Sequence, residues 1–224
     1  MHAALAWADP SSAAQAIEVP QSMSHERRHL PSESSAAVTG RSRPRQVCVL
    51  GSADPGSAAY ELAGAAGQLL ARLGITLVSG CGSPATRLAA ERALAAGGLV
   101  VSIVTSDDID LHDWPCSVLI PCGMGDARNL LMALAGDACI VIGGRAGTKS
   151  EVCLAWLHHR PLLPLTGCGG WSDQLERNPP DERQNSVIRS WSSIEDLEQA
   201  LAGLGLLGEQ SPNSVPRSHD ESIP

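Results

Sequence analysis

Arg128 and Glu151 stand 23 positions apart, the first opening an apolar helical segment and the second following a glycine-rich turn. A guanidinium can hold an anion through parallel N–H bonds, and a carboxylate can orient water or steady a developing positive charge. Together they offer the means to hold a phosphate-bearing ligand and act on it. Between them runs Gly143-Gly144-Arg145-Ala146-Gly147-Thr148, directly after the apolar run Ala138 to Ile142. A strand, a glycine turn and a helix in that order build an anion site, because the first N–H groups of a helix are unpaired and carry partial positive charge. Thr148 is the expected N-cap of that helix. Lys149, the only lysine in the chain, follows it. A cation in the first turn opposes the helix dipole, so it either answers an anionic partner or extends into water.

Each of these residues also has a purely structural reading. Thr148-Lys149-Ser150-Glu151 spells a capping box, in which the glutamate reaches back to the cap amide. Arg128 can be a solvated first-turn residue, although that end of a helix disfavours a cation and an anionic contact explains it better. A second candidate phosphate turn is Gly51-Ser52-Ala53-Asp54-Pro55-Gly56-Ser57, where Ser52 and Ser57 offer hydroxyl donors. It lacks the GxGxxG pattern and an acidic residue placed for a ribose, which argues against a nicotinamide dehydrogenase. Gly80 and Gly82, and Gly123 ahead of Arg128 and Asn129, complete the candidate ligand set. Trp171 reads either as a ring for stacking a ligand or as an anchor between subunits.

The elements that must position these residues alternate. Strands are expected at Val47–Leu50, Thr76–Val78, Val100–Val104, Val118–Ile120, Ala138–Ile142 and Leu162–Leu165, from their short apolar runs. Helices are expected at Ala58–Leu73, Pro84–Ala96, Asp126–Ala135, Lys149–Leu157 and Ile194–Leu204, from their spacing and their glycine or proline boundaries. Such alternation demands an α/β fold with a mostly parallel sheet covered by helices on both faces. Ligands of such sheets bind beyond the carboxyl ends of the strands, where Gly51, Gly80, Gly123 and Gly143 all fall.

Composition narrows the function classes. The 224 residues carry a formal charge of −8 and no phenylalanine, so the core must be built from small aliphatic side chains packed tightly. No basic block is present to form a nucleic-acid surface. Seven cysteines show no CxxC pair and no zinc-type spacing, and they read as small buried residues of a reducing compartment rather than as metal ligands. No stretch reaches transmembrane length and no secretory signal opens the chain, so the expected location is cytoplasmic. Residues 1–44 and 208–224, rich in serine and proline, read as disordered tails around one domain at 45–207. Met23 within the first tail is an alternative start to Met1.

The linked positions Arg128, Asp137-Ala138, Gly147-Thr148 and Glu151 resemble the signature of the Rossmann-like SLOG superfamily. They are most similar to the LOG proteins, formerly called lysine decarboxylases, and to their relatives the molybdenum-cofactor carrier proteins. Gly123-Met124-Gly125-Asp126-Ala127-Arg128-Asn129 and Gly169-Gly170-Trp171 look closest to the carrier branch, where LOG enzymes usually have Arg-Lys in place of Arg128-Asn129. The resemblance implies a Rossmann-like single domain, a homodimer or higher homo-oligomer, and a small phosphate-bearing ligand. No cofactor is required for the fold, and a molybdenum cofactor would be a carried ligand. The LOG branch implies instead N-glycosidic cleavage of a nucleoside 5′-monophosphate, with Arg128 and Glu151 as catalytic residues. A third implied role is sensing of a nucleotide-derived signal. Arg145 stands where the family has a glycine, and Pro84 occupies another usual glycine position. These departures favour binding over hydrolysis.

Overall fold

Six short apolar segments, each leaving the sheet at the same edge, form the strands of this protein. The computed structural model describes residues 43–108, 113–183 and 186–207, all within one compact unit. The expected tails lie outside the described residues, apart from residues 43 and 44. The strands are β1 (Gln46–Ser52), β2 (Thr76–Ser79), β3 (Val100–Val104), β4 (Val118–Pro121), β5 (Ala138–Gly143) and β6 (Leu162–Pro164). They pair in the order β4-β3-β2-β1-β5-β6, and every pairing is parallel. The strand order therefore reverses between β1 and β5, which opens a crevice at their carboxyl ends.

Four α-helices connect the strands, α1 (Ala58–Arg72), α2 (Pro84–Ala95), α3 (Arg128–Ala135) and α4 (Ala146–Leu157), and α5 (Ile194–Gly203) follows β6. Side chains alternate across each strand, so the sheet feeds two separate cores. Val47, Val49, Ile140 and Ile142 pack with α1, α2 and α5 on one face. Cys48, Leu50, Cys139 and Val141 pack with Met132, Val152 and Trp156 of α3 and α4 on the other. Helices on both faces of a parallel sheet are the architecture the alternation demands. Cys48 and Cys139 sit in register on β1 and β5 and are fully buried, and all seven cysteines are free thiols.

The absence of phenylalanine is met by close approach of backbones. On α1, Ala63, Ala66 and Gly67 face Ala85, Ala89, Ala90 and Ala93 of α2, all buried. A Cβ at Gly67 would lie 2.0 Å from the Ala89 carbonyl oxygen, so the two helices can touch only because that side chain is missing. Gly67→Ala tests the contact. Alanine gains roughly 1 kcal/mol in intrinsic helix propensity, while overpacking against rigid backbone costs about 1–3 kcal/mol or more. The steric effect should win, and urea denaturation should show a net loss of about 2 kcal/mol. A gain in stability would mean that the helices separate freely.

Candidate functional site

Serine side chains close three of the five helices at their N-termini. Ser57 accepts from the Tyr60 amide on α1, Ser83 from the Thr86 amide on α2, and Ser193 from the Asp196 amide on α5. The other two helices, α3 and α4, have no side-chain cap. Both open into a crevice of about 510 Å³ at the carboxyl ends of the strands. Arg145, at the cap position of α4, cannot accept a bond from its free amides, because a guanidinium is donor-only. These N–H groups are left for water or for a ligand.

The one ion pair buried on both sides among the described residues lies in this crevice. Arg128 Nη1 donates to Glu151 Oε1 at 3.0 Å, and each residue is 8 % exposed. The pair joins the first residue of α3 to the sixth of α4. Its bed is Gly80, where a Cβ would fall 1.8 Å from Arg128 Nη1, so the guanidinium rests on bare backbone at the end of β2. Burial raises the proton affinity of Glu151 above the ordinary carboxylate value, and the charge and hydrogen bond of Arg128 only partly oppose it. Arg128 Nε is buried without a partner. Beside the pair, Asn129 Nδ2 donates to Ser150 Oγ at 2.6 Å, a second tie between α3 and α4.

The structure gathers most of the residues singled out from the sequence. Gly51, Ser52, Gly80 and Gly82 line the crevice from the β1 and β2 ends, and Arg128, Asn129 and Glu151 from the helices. Arg145, Gly147 and Thr148 line it from the start of α4. Gly143 and Gly144 fall instead in an adjoining cavity. Gly123 lines neither, and its amide donates to the Ser106 carbonyl in a separate turn. Sequence reasoning passed over Asp54, Ser83, Thr86 and Asp126, which complete the wall. Ser83 directly precedes Pro84, an N-cap signal that could have brought the end of that turn into view.

Two expectations at the start of α4 are corrected. Thr148 is not the N-cap, because Gly143 and Gly144 make the turn at φ +53° and +96° and Arg145 is already extended, so the helix begins at Ala146. The capping box therefore does not form. Glu151 is one and a half turns into the helix, beyond reach of the cap amide, and its carboxylate goes to Arg128. Lys149, exposed in the first turn of α4, places its Nζ 4.3 Å from the centre of the Trp171 ring, a cation–π contact that the sequence did not suggest. Cys81, between Gly80 and Gly82, has its thiol pushed up to about 11 by burial, so it offers no thiolate nucleophile here. Among the described residues no cluster of three or more histidine, cysteine or acidic side chains could hold a metal, and no helix is long and apolar enough to cross a membrane.

A parallel α/β sheet with a glycine-lined crevice at its switch point, an uncapped helix and a buried arginine–glutamate pair defines a Rossmann-like binding fold. The chain belongs to the SLOG cluster4 family, whose model matches residues 44–197. It is 33 % identical over 145 residues to the probable cytokinin riboside 5′-monophosphate phosphoribohydrolase LOGL5 of Oryza sativa subsp. japonica. That match covers 60 % of this chain, which spans 58 % of the rice protein. The molybdenum cofactor binding protein of the phototrophic bacterium Rippkaea orientalis superposes with a TM-score of 0.62 at 27 % identity, covering 72 % of this chain and 98 % of that one. The molybdenum cofactor carrier protein of Chlamydomonas reinhardtii shares the fold, with a TM-score of 0.58 at 22 % identity over 71 % of this chain and 99 % of its own. The chain is thus LOG-like, with solved neighbours of the cofactor-carrier type.

The buried pair has a measurable pH signature. Folded Glu151 holds its proton more tightly than an exposed glutamate near 4.5, so the folded state binds more protons than the unfolded one from that value upward. Stability from this residue is therefore present at low pH and lost as pH rises through the raised folded pKa. Denaturation of the wild type and of Glu151→Gln across the acidic range should show the wild type losing stability relative to the variant as pH rises, since the other carboxylates are common to both. A wild type that gains stability relative to the variant as pH rises would mean that the charge of Arg128 outweighs burial.

Proposed function

We propose that this protein binds a small phosphate-bearing ligand, a pterin cofactor or a nucleotide, in the crevice lined by the ends of β1 and β2 and the starts of α3 and α4. One observation carries this reading: α4 opens into the crevice with its amides uncapped and with Arg145 at the cap position, beside Gly147 and Thr148. Free helix N–H groups next to an arginine make a phosphate site of the backbone-plus-fork kind. The likeness to the Rippkaea orientalis protein supports a pterin as cargo, held and released rather than used. Asp54 and Asp126, which also line the crevice, supply acceptors for the amino and ring N–H groups that a pterin or purine presents. A homodimer in the cytoplasm, with the folded domain at 45–207, completes the proposal.

A second reading rests on the Arg128–Glu151 pair and on the likeness to the rice LOGL5 protein. There the carboxylate would steady oxocarbenium-like charge or orient water while a nucleoside 5′-monophosphate loses its base. Arg128 neutralises much of that carboxylate. A substrate phosphate would have to draw the guanidinium toward itself before Glu151 could serve the ribose.

Gly147 allows a sharp test of the phosphate site. A Cβ there would meet no atom within 4 Å, so Gly147→Ala leaves the fold intact and adds helix propensity. Only a ligand seated on the backbone would feel the methyl group. Thermal melts with inorganic phosphate and AMP should show a clear upward shift for the wild type, a diminished shift for Gly147→Ala, and a drop in affinity of about tenfold or more for Arg145→Ala, the value of one charged hydrogen bond. Unchanged shifts in both variants would place the anion elsewhere.

Carrier and enzyme separate in one further experiment. Protein co-expressed with pterin synthesis should retain pterin fluorescence, while AMP incubated with the purified protein should release no free base. If base is released, Glu151→Gln should slow it by about 100-fold or more. Turnover indifferent to that change would remove Glu151 from the chemistry.

A further inference from the structure

A phosphate seated at the start of α4 would have a carboxylate for a neighbour. Gly147 and Glu151 are four residues apart on α4 and both line the crevice, so the helix holds them on one face, about 6 Å apart along its axis.

The crevice has little positive charge to spare. Arg128 from α3 and Arg145 at the cap of α4 stand against Asp54 after β1, Asp126 before α3 and Glu151 itself. Lys149 of α4 is stacked on Trp171 and does not line the crevice. Cys48 on β1, in the core under α4, is kept neutral by its contact with Cys139 and by burial, and burial does the same for Cys81 at the end of β2. Two cations thus already face three carboxylates, and a phosphate adds a further charge of about −1.5 to −2.

Of the three carboxylates, one is placed to give up its charge. Asp54 and Asp126 are exposed and keep theirs in water. Glu151 is buried, its only partner among the described residues is Arg128, and burial already raises its proton affinity. Arg128 has a donor left for a second anion, since its buried Nε has no partner. Shared in that way, the guanidinium holds the carboxylate charge less firmly, while the phosphate repels it.

We propose that ligand and proton bind together: as the phosphate is seated, one proton from the solvent adds to a Glu151 carboxylate oxygen, and the neutral carboxyl donates a hydrogen bond to the ligand. This coupling rests on the phosphate site proposed above and adds its regulation, since such a site fills as pH falls and empties as pH rises. A neutral Glu151 has no charge with which to steady an oxocarbenium ion, which fits holding over cleavage.

Sulfate is the probe, because it carries two negative charges and does not itself titrate near neutral pH. Isothermal titration calorimetry on the full chain, from about pH 5 to about pH 8, should show the wild type losing at least about tenfold in sulfate affinity relative to Glu151→Gln. At the upper pH the variant should bind more tightly than the wild type, a gain that the loss of a merely structural residue would not give. In buffers of different ionisation enthalpy, the wild type should take up close to one proton per sulfate bound, and the variant close to none. If Glu151→Gln does not fold, the wild-type proton count decides. If sulfate does not bind, inorganic phosphate replaces it, its own titration being common to both proteins. Equal pH dependence in the two proteins, or no proton uptake by the wild type, would overturn the coupling while leaving the phosphate site standing. Failure of sulfate and inorganic phosphate alike would remove the phosphate site and this inference with it.

Discussion

The contact between Arg128 and Glu151 imposes the strictest demand on this fold. Two opposite charges taken out of water lose several kcal/mol of hydration each, to the order of magnitude known for buried ions, and recover it only when their geometry is held. Here that geometry requires α3 and α4 to begin at the same edge of the sheet, a bare glycine under the guanidinium, and a turn that delivers the glutamate one and a half turns into α4. The Asn129–Ser150 hydrogen bond repeats the tie one residue later on α3 and one residue earlier on α4. Since apolar side chains of similar volume would stabilise such a junction at least as well, the charged pair is better explained by what it presents to the crevice.

The crevice is not simply basic. Arg128 and Arg145 stand among Asp54, Asp126 and Glu151, and Arg128 is already committed to one of the three. A bare anion therefore meets local attraction at the start of α4 and repulsion elsewhere. Such a site favours molecules in which a phosphate is joined to a group rich in N–H and O–H donors. A chain of net charge −8 offers anions no long-range attraction, so any anion it took would have to be met by local charge.

The fold was legible in the sequence because its strands are short apolar runs and its helices are bounded by serine, proline and glycine. Val100–Val104 was located to the residue, and Ala58 and Pro84 were located as helix starts. The start of α4 was not. Thr148-Lys149-Ser150-Glu151 satisfies the capping-box pattern, and local sequence holds no sign that Glu151 is claimed by an arginine from another helix. Gly147 also reads as part of the turn, although it lies inside the helix, where the first turn tolerates it. Gly123 was drawn into the site because it precedes Arg128 in sequence. Its backbone serves a turn facing Asp107 instead. Asp54 and Asp126 escaped notice because acidic residues in polar loops are commonplace, and only the folded chain brings them to one crevice.

The stacking of Lys149 on Trp171 has a chemical corollary. Because no other lysine exists in the sequence, every reagent or enzyme that acts on side-chain amines has a single address in this protein. That address is the first turn of α4, with an indole 4.3 Å away as its immediate neighbour. Acylation there would discharge the ammonium and end its attraction to the ring. The fluorescence of Trp171, one of five tryptophans, would then report from within the molecule on the covalent state of its one side-chain amine.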